Sequence, residues 1–296
     1  MGVYSTKKVA VLIAMLGVVL FSAKAVMVKL VYQYEVDTVT LLLFRMMLSL
    51  PFYLLVAMLN WSVLKSKLTV KIAISVVVFG FLGYYLASYF DFLGLQYIKA
   101  SLERIILFIY PTVVLVLSSV FLKRKITRVQ VLAILITYLG IVIMYYQEPN
   151  FMELSSLLGV GLIVLSALTY ASYLVGSDWL IPQLGSTLFT SLAMMVSCVC
   201  VCLHYAVVGD FQFTSYPHQV YWLSLAMAIF STVIPSYLIS YAIKILGAPN
   251  FSVIASLGPV STIVLAWMFL GETLSWGQIL GAIVVIGGVY VVTQKK

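Results

Sequence analysis

Apolar side chains come in long runs along this chain, and the polar breaks between them are short. A helix needs about 20 predominantly apolar residues to cross the hydrocarbon core of a bilayer. Runs of that kind fall at roughly 9–31, 38–59, 71–95, 101–121, 126–146, 157–180, 187–208, 219–243, 250–270 and 275–293. They predict ten spans, joined by connections too short for an extramembrane domain. Lys7 and Lys8 ahead of the first run resemble the start of a signal peptide, but the run is long enough to span and has no clear cleavage site. It is read as span 1.

Composition excludes whole classes of function. Of the 296 residues, 64% are apolar and 9% charged, with a mean hydropathy of +1.14. A soluble domain carries about 25% charged residues, because its exterior must face water. An ordinary soluble enzyme is therefore ruled out. The net charge of +8 resembles a nucleic-acid signal only until the charges are located. Lys7 and Lys8, then Lys65, Lys67 and Lys71, then Lys123, Arg124, Lys125 and Arg128, then Lys244, and finally Lys295 and Lys296 all fall on one side of a ten-span path. The other side holds Lys99 with Glu35, Asp37, Glu148, Glu153, Asp210 and Glu272. Basic loops stay in the cytoplasm, so both termini are expected inside. The expected partners are the lipid bilayer and a small molecule, with no nucleic acid.

The chain also repeats itself. At an offset of 148, half its length, Ser88-Tyr89 falls on Ser236-Tyr237, Ala100 on Ala248, Pro111 on Pro259, Phe121-Leu122 on Phe269-Leu270, Gln130 on Gln278 and Gly140 on Gly288. The paired prolines weigh most, since proline removes a helix hydrogen bond and kinks the chain. The expected organisation is two five-helix repeats, residues 1–148 (spans 1–5) and 149–296 (spans 6–10). Five crossings is an odd number, so the copies are inverted. Inverted repeats are an architecture of secondary transporters, with the site between the copies near mid-membrane.

Phe269-Leu270-Gly271-Glu272-Thr273-Leu274, with Gln278-Ile279-Leu280-Gly281-Ala282 and Gly287-Gly288 after it, resembles the end of an EamA domain. So does Ile109-Tyr110-Pro111-Thr112 following Ala100-Ser101-Leu102-Glu103-Arg104. The resemblance is to the ten-span branch of the drug/metabolite transporter superfamily. It implies export or exchange of small metabolites, amino acids or drugs, and a multi-pass protein of a bacterial inner (plasma) membrane. In the first copy Lys123-Arg124-Lys125 stands where Gly271-Glu272-Thr273 stands in the second.

Charges within the spans are the candidate chemistry, because each costs about 2.5–3.5 kcal/mol on insertion scales. Lys24 and Lys29 lie in span 1, Arg45 in span 2, Asp91 in span 3, and Glu103 and Arg104 in span 4. All belong to the first copy; Ile239, Phe251 and Ser252 occupy matched places in the second. Asp91 is expected to pair with Lys24 or Arg45, Glu103 with its neighbours, and Lys29 to snorkel. That leaves two basic groups for a carboxylate or other anion. Arg45 and Arg104 are the preferred binders, since a guanidinium grips a carboxylate with two parallel bonds. Asp91 could instead hold a substrate ammonium or carry a coupling proton.

Helical spacing extends the candidate site. Tyr84, Ser88 and Asp91 share one face, matched by Thr232, Ser236 and Ile239; Ser101, Arg104, Phe108 and Pro111 share another, matched by Pro249, Ser252, Ser256 and Pro259; Ser166, Tyr170 and Tyr173 share a third. The expected substrate-binding set is Lys24, Arg45, Tyr84, Ser88, Asp91, Glu103, Arg104, Tyr170, Ser236, Ser252 and Ser256, with Pro111 and Pro259 softening spans 4 and 9 for gating. Gly277-x-x-x-Gly281 and Gly288 form a small-residue face for span 5 (Ala133, Thr137, Gly140) or for a homodimer. Cys198, Cys200, Cys202 and His204 face different ways on a helix and make no metal site. No phosphate-binding loop or nucleophile elbow appears, so no cofactor and no enzyme activity is expected. The expected function is alternating-access transport of a small metabolite, an amino acid or other carboxylate-bearing compound, in the export direction. A nucleotide-sugar or phosphate-ester antiporter is the nearer rival, though it would want cavity-facing basic residues from both copies. A membrane-embedded lipid-modifying enzyme is the farther one.

Overall fold

The computed structural model describes residues 2–145, 154–209, 211, 215–271 and 275–293. Among them there are helices and no strands. We number the helical rods α1 (Gly2–Tyr32), α2 (Thr38–Leu59), α3 (Val70–Tyr97), α4 (Ala100–Leu107 and Tyr110–Leu122), α5 (Arg128–Tyr145), α6 (Leu154–Leu184), α7 (Ser186–Val208), α8 (His218–Leu246), α9 (Ala248–Ile254 and Leu257–Leu270) and α10 (Trp276–Thr293). A short helix, Trp61–Lys67, links α2 to α3. Seven of these rods are long and apolar enough to cross a membrane. The apolar stretches Tyr110–Leu122, Arg128–Gly140 and Ile279–Gly288 of α4, α5 and α10 are shorter. For α4 the reason is visible: Glu103 and Arg104 sit in its first segment, and the helix breaks before Tyr110. Glu148, Glu153, Asp210, Glu272, Lys295, Lys296 and the expected repeat boundary lie outside the described residues.

Local chemistry sets the ends. Asp37 caps α2, accepting the N–H groups of Val39 and Thr40 at 2.9 and 3.0 Å, which satisfies donors that have no partner in the first turn. Gly185 and Gly247, at φ 88° and 78°, make one-residue turns into α7 and α9. Glycine fits because an L side chain rarely adopts that backbone. The exterior is a belt of exposed apolar residues, among them Leu12, Val77, Leu139, Leu203 and Ile283. In water such a surface would aggregate; in a bilayer it is the solvated face.

Packing alternates between the two halves of the chain. α1 lies against α8 and α9, α2 against α7, α3 against α6, and α5 against α10. The α5–α10 seam uses the glycines singled out from sequence. A Cβ at Gly140 would sit 2.7 Å from the Gly281 carbonyl oxygen, and one at Gly288 2.9 Å from that of Ala133. No side chain larger than hydrogen fits there, so the backbones meet directly.

Four rods depart from regular helix, in two pairs. α3 is π-helical over Phe81–Leu86 and α8 over Ile229–Val233. Phe81 and Ile229 are separated by the 148 residues that align the sequence with itself. α4 breaks at residues 108–109 and α9 at 255–256. Proline explains the second pair. Pro111 and Pro259 each lie within four residues of the break and cannot donate back across it. π segments often mark functional sites.

Candidate functional site

The site begins with a guanidinium that has no carboxylate. Arg45, in the middle of α2, is 0% exposed. Its Nε donates to Thr232 Oγ1 at 2.8 Å and its Nη1 to Ser88 Oγ at 3.1 Å. Its Nη2 has no partner, and the ion pairs of the described residues do not include it. The Phe92 ring lies 5.3 Å from its Cζ. Thr232 belongs to the π segment of α8, and Ser88 follows that of α3 by two residues. The widened turn lets Thr232 Oγ1 donate to Met227 O, five residues back, at 2.9 Å while accepting from Arg45. One turn further along α8, Ser236 bonds the hydroxyl of buried Tyr53 at 2.9 Å.

Beside Arg45 lie two ion pairs. Lys24 Nζ meets Asp91 Oδ2 at 2.6 Å, and Arg104 Nε meets Glu103 Oε2 at 3.2 Å, all four side chains buried. Phe21 stands between the pairs. Its ring takes Lys24 Nζ at 4.7 Å and Arg104 Cζ at 5.4 Å, and its carbonyl accepts from Arg104 Nη2 at 3.2 Å. An aromatic face attracts a cation through its quadrupole, so one ring steadies both. Removed from water, ionised groups persist only with such partners. Arg45 is the exception.

Two small cavities flank Phe21. One, of ≈ 20 Å³, is lined by Arg104, Phe108, Tyr110, Gly258 and Pro259, with Phe21 and Tyr170 on its border. It therefore touches the breaks of both α4 and α9. The other, of ≈ 10 Å³, is lined by Lys24, Tyr84, Ser88 and Ser166 and has the same border. Phe21 and Tyr170 stack at 5.9 Å and 11° between them. Together they admit a water or two, against roughly 300 Å³ or more for a metabolite site. The centre is closed in this conformation.

Of the residues expected in the site, Lys24, Tyr84, Ser88, Arg104, Tyr170 and Pro259 line the cavities, while Asp91 and Glu103 stand behind Lys24 and Arg104. Pro111 is buried in α4, two residues past the break. Arg45 reaches the second cavity through Ser88. Ser236, Ser252 and Ser256 line neither: they donate to Val233 O, Pro249 O and Val253 O on their own helices. A serine hydroxyl readily bonds the carbonyl three or four residues back, so a serine face need not be a polar wall. Tyr53 and Phe21 join the site without having been singled out for it, and Thr232 joins it from a matched face, outside the expected binding set. Among the described residues no group of His, Cys, Asp or Glu could hold a metal.

A second polar centre lies at the end of the bundle that carries most of the basic residues. Asp178, six residues before the end of α6, takes Arg124 in a bidentate grip, Nη2 on Oδ1 at 3.0 Å and Nη1 on Oδ2 at 2.9 Å. Its Oδ2 also accepts from the Ala248 N–H at 3.1 Å, at the start of α9. One carboxylate thus ties α6, the segment after α4, and the N-terminus of α9, where the helix dipole favours negative charge. Gln130 Nε2 bonds Asn250 Oδ1 nearby at 3.0 Å. Asp178 was legible as an acid inside an apolar run, but its closeness to Leu184 reads as a helix end.

Known proteins place this architecture. The model of the EamA-like transporter family matches residues 8–146 and again 157–294. An uncharacterized transporter of Bacillus subtilis (strain 168), YcbK, is 29% identical over 286 residues, covering 94% of this chain and 89% of that protein. An uncharacterized transporter of Archaeoglobus fulgidus is 25% identical over 69% of this chain and 71% of its own. A crystal structure sharing 16% identity superposes with a TM-score of 0.76 over 96% of both chains, a likeness of fold alone. With the family model matched twice across nearly its whole length, this chain belongs to the EamA-like transporter family and is an integral membrane transporter.

Proposed function

We propose that the chain is a secondary transporter for a small carboxylate-bearing metabolite, an amino acid above all, moved outward by alternating access. The observation that carries this reading is Arg45, fully buried with Nη2 unpartnered. Evolution seldom leaves a desolvated charge unpaired without a use, since a missing partner costs several kcal/mol. The Nη1–Nη2 edge presents two parallel donors, one of them held only by the Ser88 hydroxyl. A carboxylate arriving past Tyr84 displaces Ser88 and satisfies both. Asp91, on releasing Lys24, takes the ammonium of an amino acid or the coupling proton.

In this reading the molecule comprises ten spans in two inverted five-helix repeats, 1–148 and 149–296, with both termini cytoplasmic. The matched π segments of α3 and α8 and the matched breaks of α4 and α9 support it. Interrupted helices in corresponding positions of two halves point to a transporter's binding site. Pro111 and Pro259 let the segments on either side of each break tilt separately. The closed centre fits an occluded state, with the Asp178 latch shutting the basic, cytoplasmic end. The glycine face of α10 is spent on α5, which favours a monomer. A phosphate-ester antiporter fits less well, because the second half supplies no charge to the centre.

The test is uptake and efflux by the purified protein in liposomes, across amino acids and organic acids. Arg45→Ala should abolish carboxylate transport and Arg45→Lys should retain a fraction of it. Undiminished transport of every substrate by Arg45→Ala would remove the site.

A further inference from the structure

A larger cavity lies away from the centre. A groove of ≈ 440 Å³ lies between α3, α4 and α6, against ≈ 20 and ≈ 10 Å³ for the central pair. Its floor is Ser172 and Gly176 of α6, and its walls are Phe79 of α3 and Leu117 and Phe121 of α4. Phe121 is 72% exposed on the lipid-facing surface, so the groove opens sideways to the bilayer. Gly176 lets the Phe79 wall pack directly on α6: a Cβ there would lie 2.4 Å from the Phe79 ring. Its volume and apolar lining suit one acyl chain.

The end of the groove says which lipid. Trp179 lines it, and Lys71 Nζ lies 5.9 Å from the Trp179 ring. Leu122, also lining, is followed directly by Lys123, Arg124 and Lys125. Lys71 and Lys123 are exposed, while Arg124 and Lys125 border a separate cavity between α4, α5 and α9. The acid at this rim, Asp178, is already held by Arg124 and the Ala248 N–H. The rim therefore has an excess of cations at headgroup level, beside an apolar slot running into the membrane. Basic pockets of this kind between transmembrane helices attract anionic headgroups, and a choline headgroup would add a further cation beside Lys71 and Lys123.

We propose that the α3–α4–α6 groove is a binding site for an anionic phospholipid, with one acyl chain in the slot and the phosphate on the lysine rim. The purified full chain can be examined by native mass spectrometry, in detergent with equimolar phosphatidylglycerol and phosphatidylcholine of identical acyl chains. Phosphatidylglycerol should be retained over phosphatidylcholine by roughly fivefold or more. Ser172→Trp, which fills the slot from its floor, should remove the adduct. Lys71→Gln combined with Lys123→Gln should keep an adduct but lose the preference. Leu82→Trp fills the same slot from α3 and replaces Ser172→Trp should that variant not fold. Equal retention of the two lipids by the unaltered chain, or an unchanged phosphatidylglycerol adduct in the filled variants, would overturn the proposal.

Discussion

α4 and α9 have the same backbone and opposite chemistry. Each breaks before a buried proline, at residues 108–109 and 255–256, and each ends in a left-handed residue, Lys123 at φ 53° and Gly271 at φ 68°. In α4 the segment before the break carries Glu103 and Arg104, a buried ion pair. At the matched positions α9 has Phe251 and Ser252, the one apolar and the other bonded to its own helix. The shared breaks allow both rods to bend. In the proposed reading, the charges that recognise a substrate need be present once only, and one half supplies them.

The most drastic way to break this comparison is to remove one charge from α4. Arg104→Ser leaves Glu103 buried without its cation, which should cost about 3–5 kcal/mol. The double change Glu103→Phe with Arg104→Ser writes the α9 pair into α4. It should recover most of that loss, because a neutral pair needs no compensation, while transport stays abolished. Denaturation in detergent measures the first part and liposome transport the second. Strictly additive losses in the double variant would mean that the two half-rods are not interchangeable scaffolds.

Arg45 sharpens the same contrast, since it is a charge without its pair. Arg45→Met should lower transport by about 100-fold or more, equivalent to about 2.7 kcal/mol of transition-state stabilisation. Its stability should stay level or rise by about 1–4 kcal/mol, as when buried charges give way to apolar side chains. Thr232 keeps its bond to Met227 O, so few polar atoms are stranded. A fall in melting temperature as large as that of Arg104→Ser would show that Arg45 is structural, and would unseat it as the substrate's partner.

Much of this architecture could be read from the residues, and the exceptions are physical. The apolar runs locate the helices because bilayer thickness imposes a length on them. The prolines at 111 and 259 point to the two breaks, and Asp91 beside Lys24 was one of two expected pairings. The π segments were not legible: an extra residue in a turn changes hydrogen-bond register without needing a particular side chain. Arg104 was expected to bind substrate; it lines a central cavity and also meets its neighbour Glu103, while Arg45 stands outside the ion pairs of the described residues. Ser252 and Ser256 satisfied the helical spacing of a lined face, yet spacing does not say whether a hydroxyl turns outward or back to its own helix.

A smaller effect separates the centre from the latch. Asp178→Asn keeps an acceptor for the Ala248 N–H but loses the bidentate grip on Arg124. The guanidinium is partly exposed, so water replaces much of what is lost, and about 1 kcal/mol is expected. Closure of the basic end should suffer more than stability does. With Cys198, Cys200 and Cys202 replaced by alanine, a cysteine placed at buried Ser118, which borders the cavity beside Arg124, should react with a water-soluble maleimide several-fold faster when Asp178→Asn is added. An unaltered rate would leave the ion pair as surface decoration.

The smallest expected effect tests the backbone half of the comparison. Lys123 holds the left-handed conformation that closes α4, where the matched position closing α9 is Gly271. For an L residue that conformation costs roughly 1–2 kcal/mol, and glycine adopts it without the Cβ clash. Part of the gain is returned, because glycine loses more backbone freedom on folding. Lys123→Gly should therefore stabilise the protein by about 0.5–1 kcal/mol and leave transport unchanged, while Gly271→Lys should destabilise it by a similar amount. Opposite shifts in melting temperature at the two positions would mean that the caps differ only in the residue that occupies them. Loss of stability on Lys123→Gly would instead mean that the lysine side chain holds this end of α4 through contacts α9 has no need of.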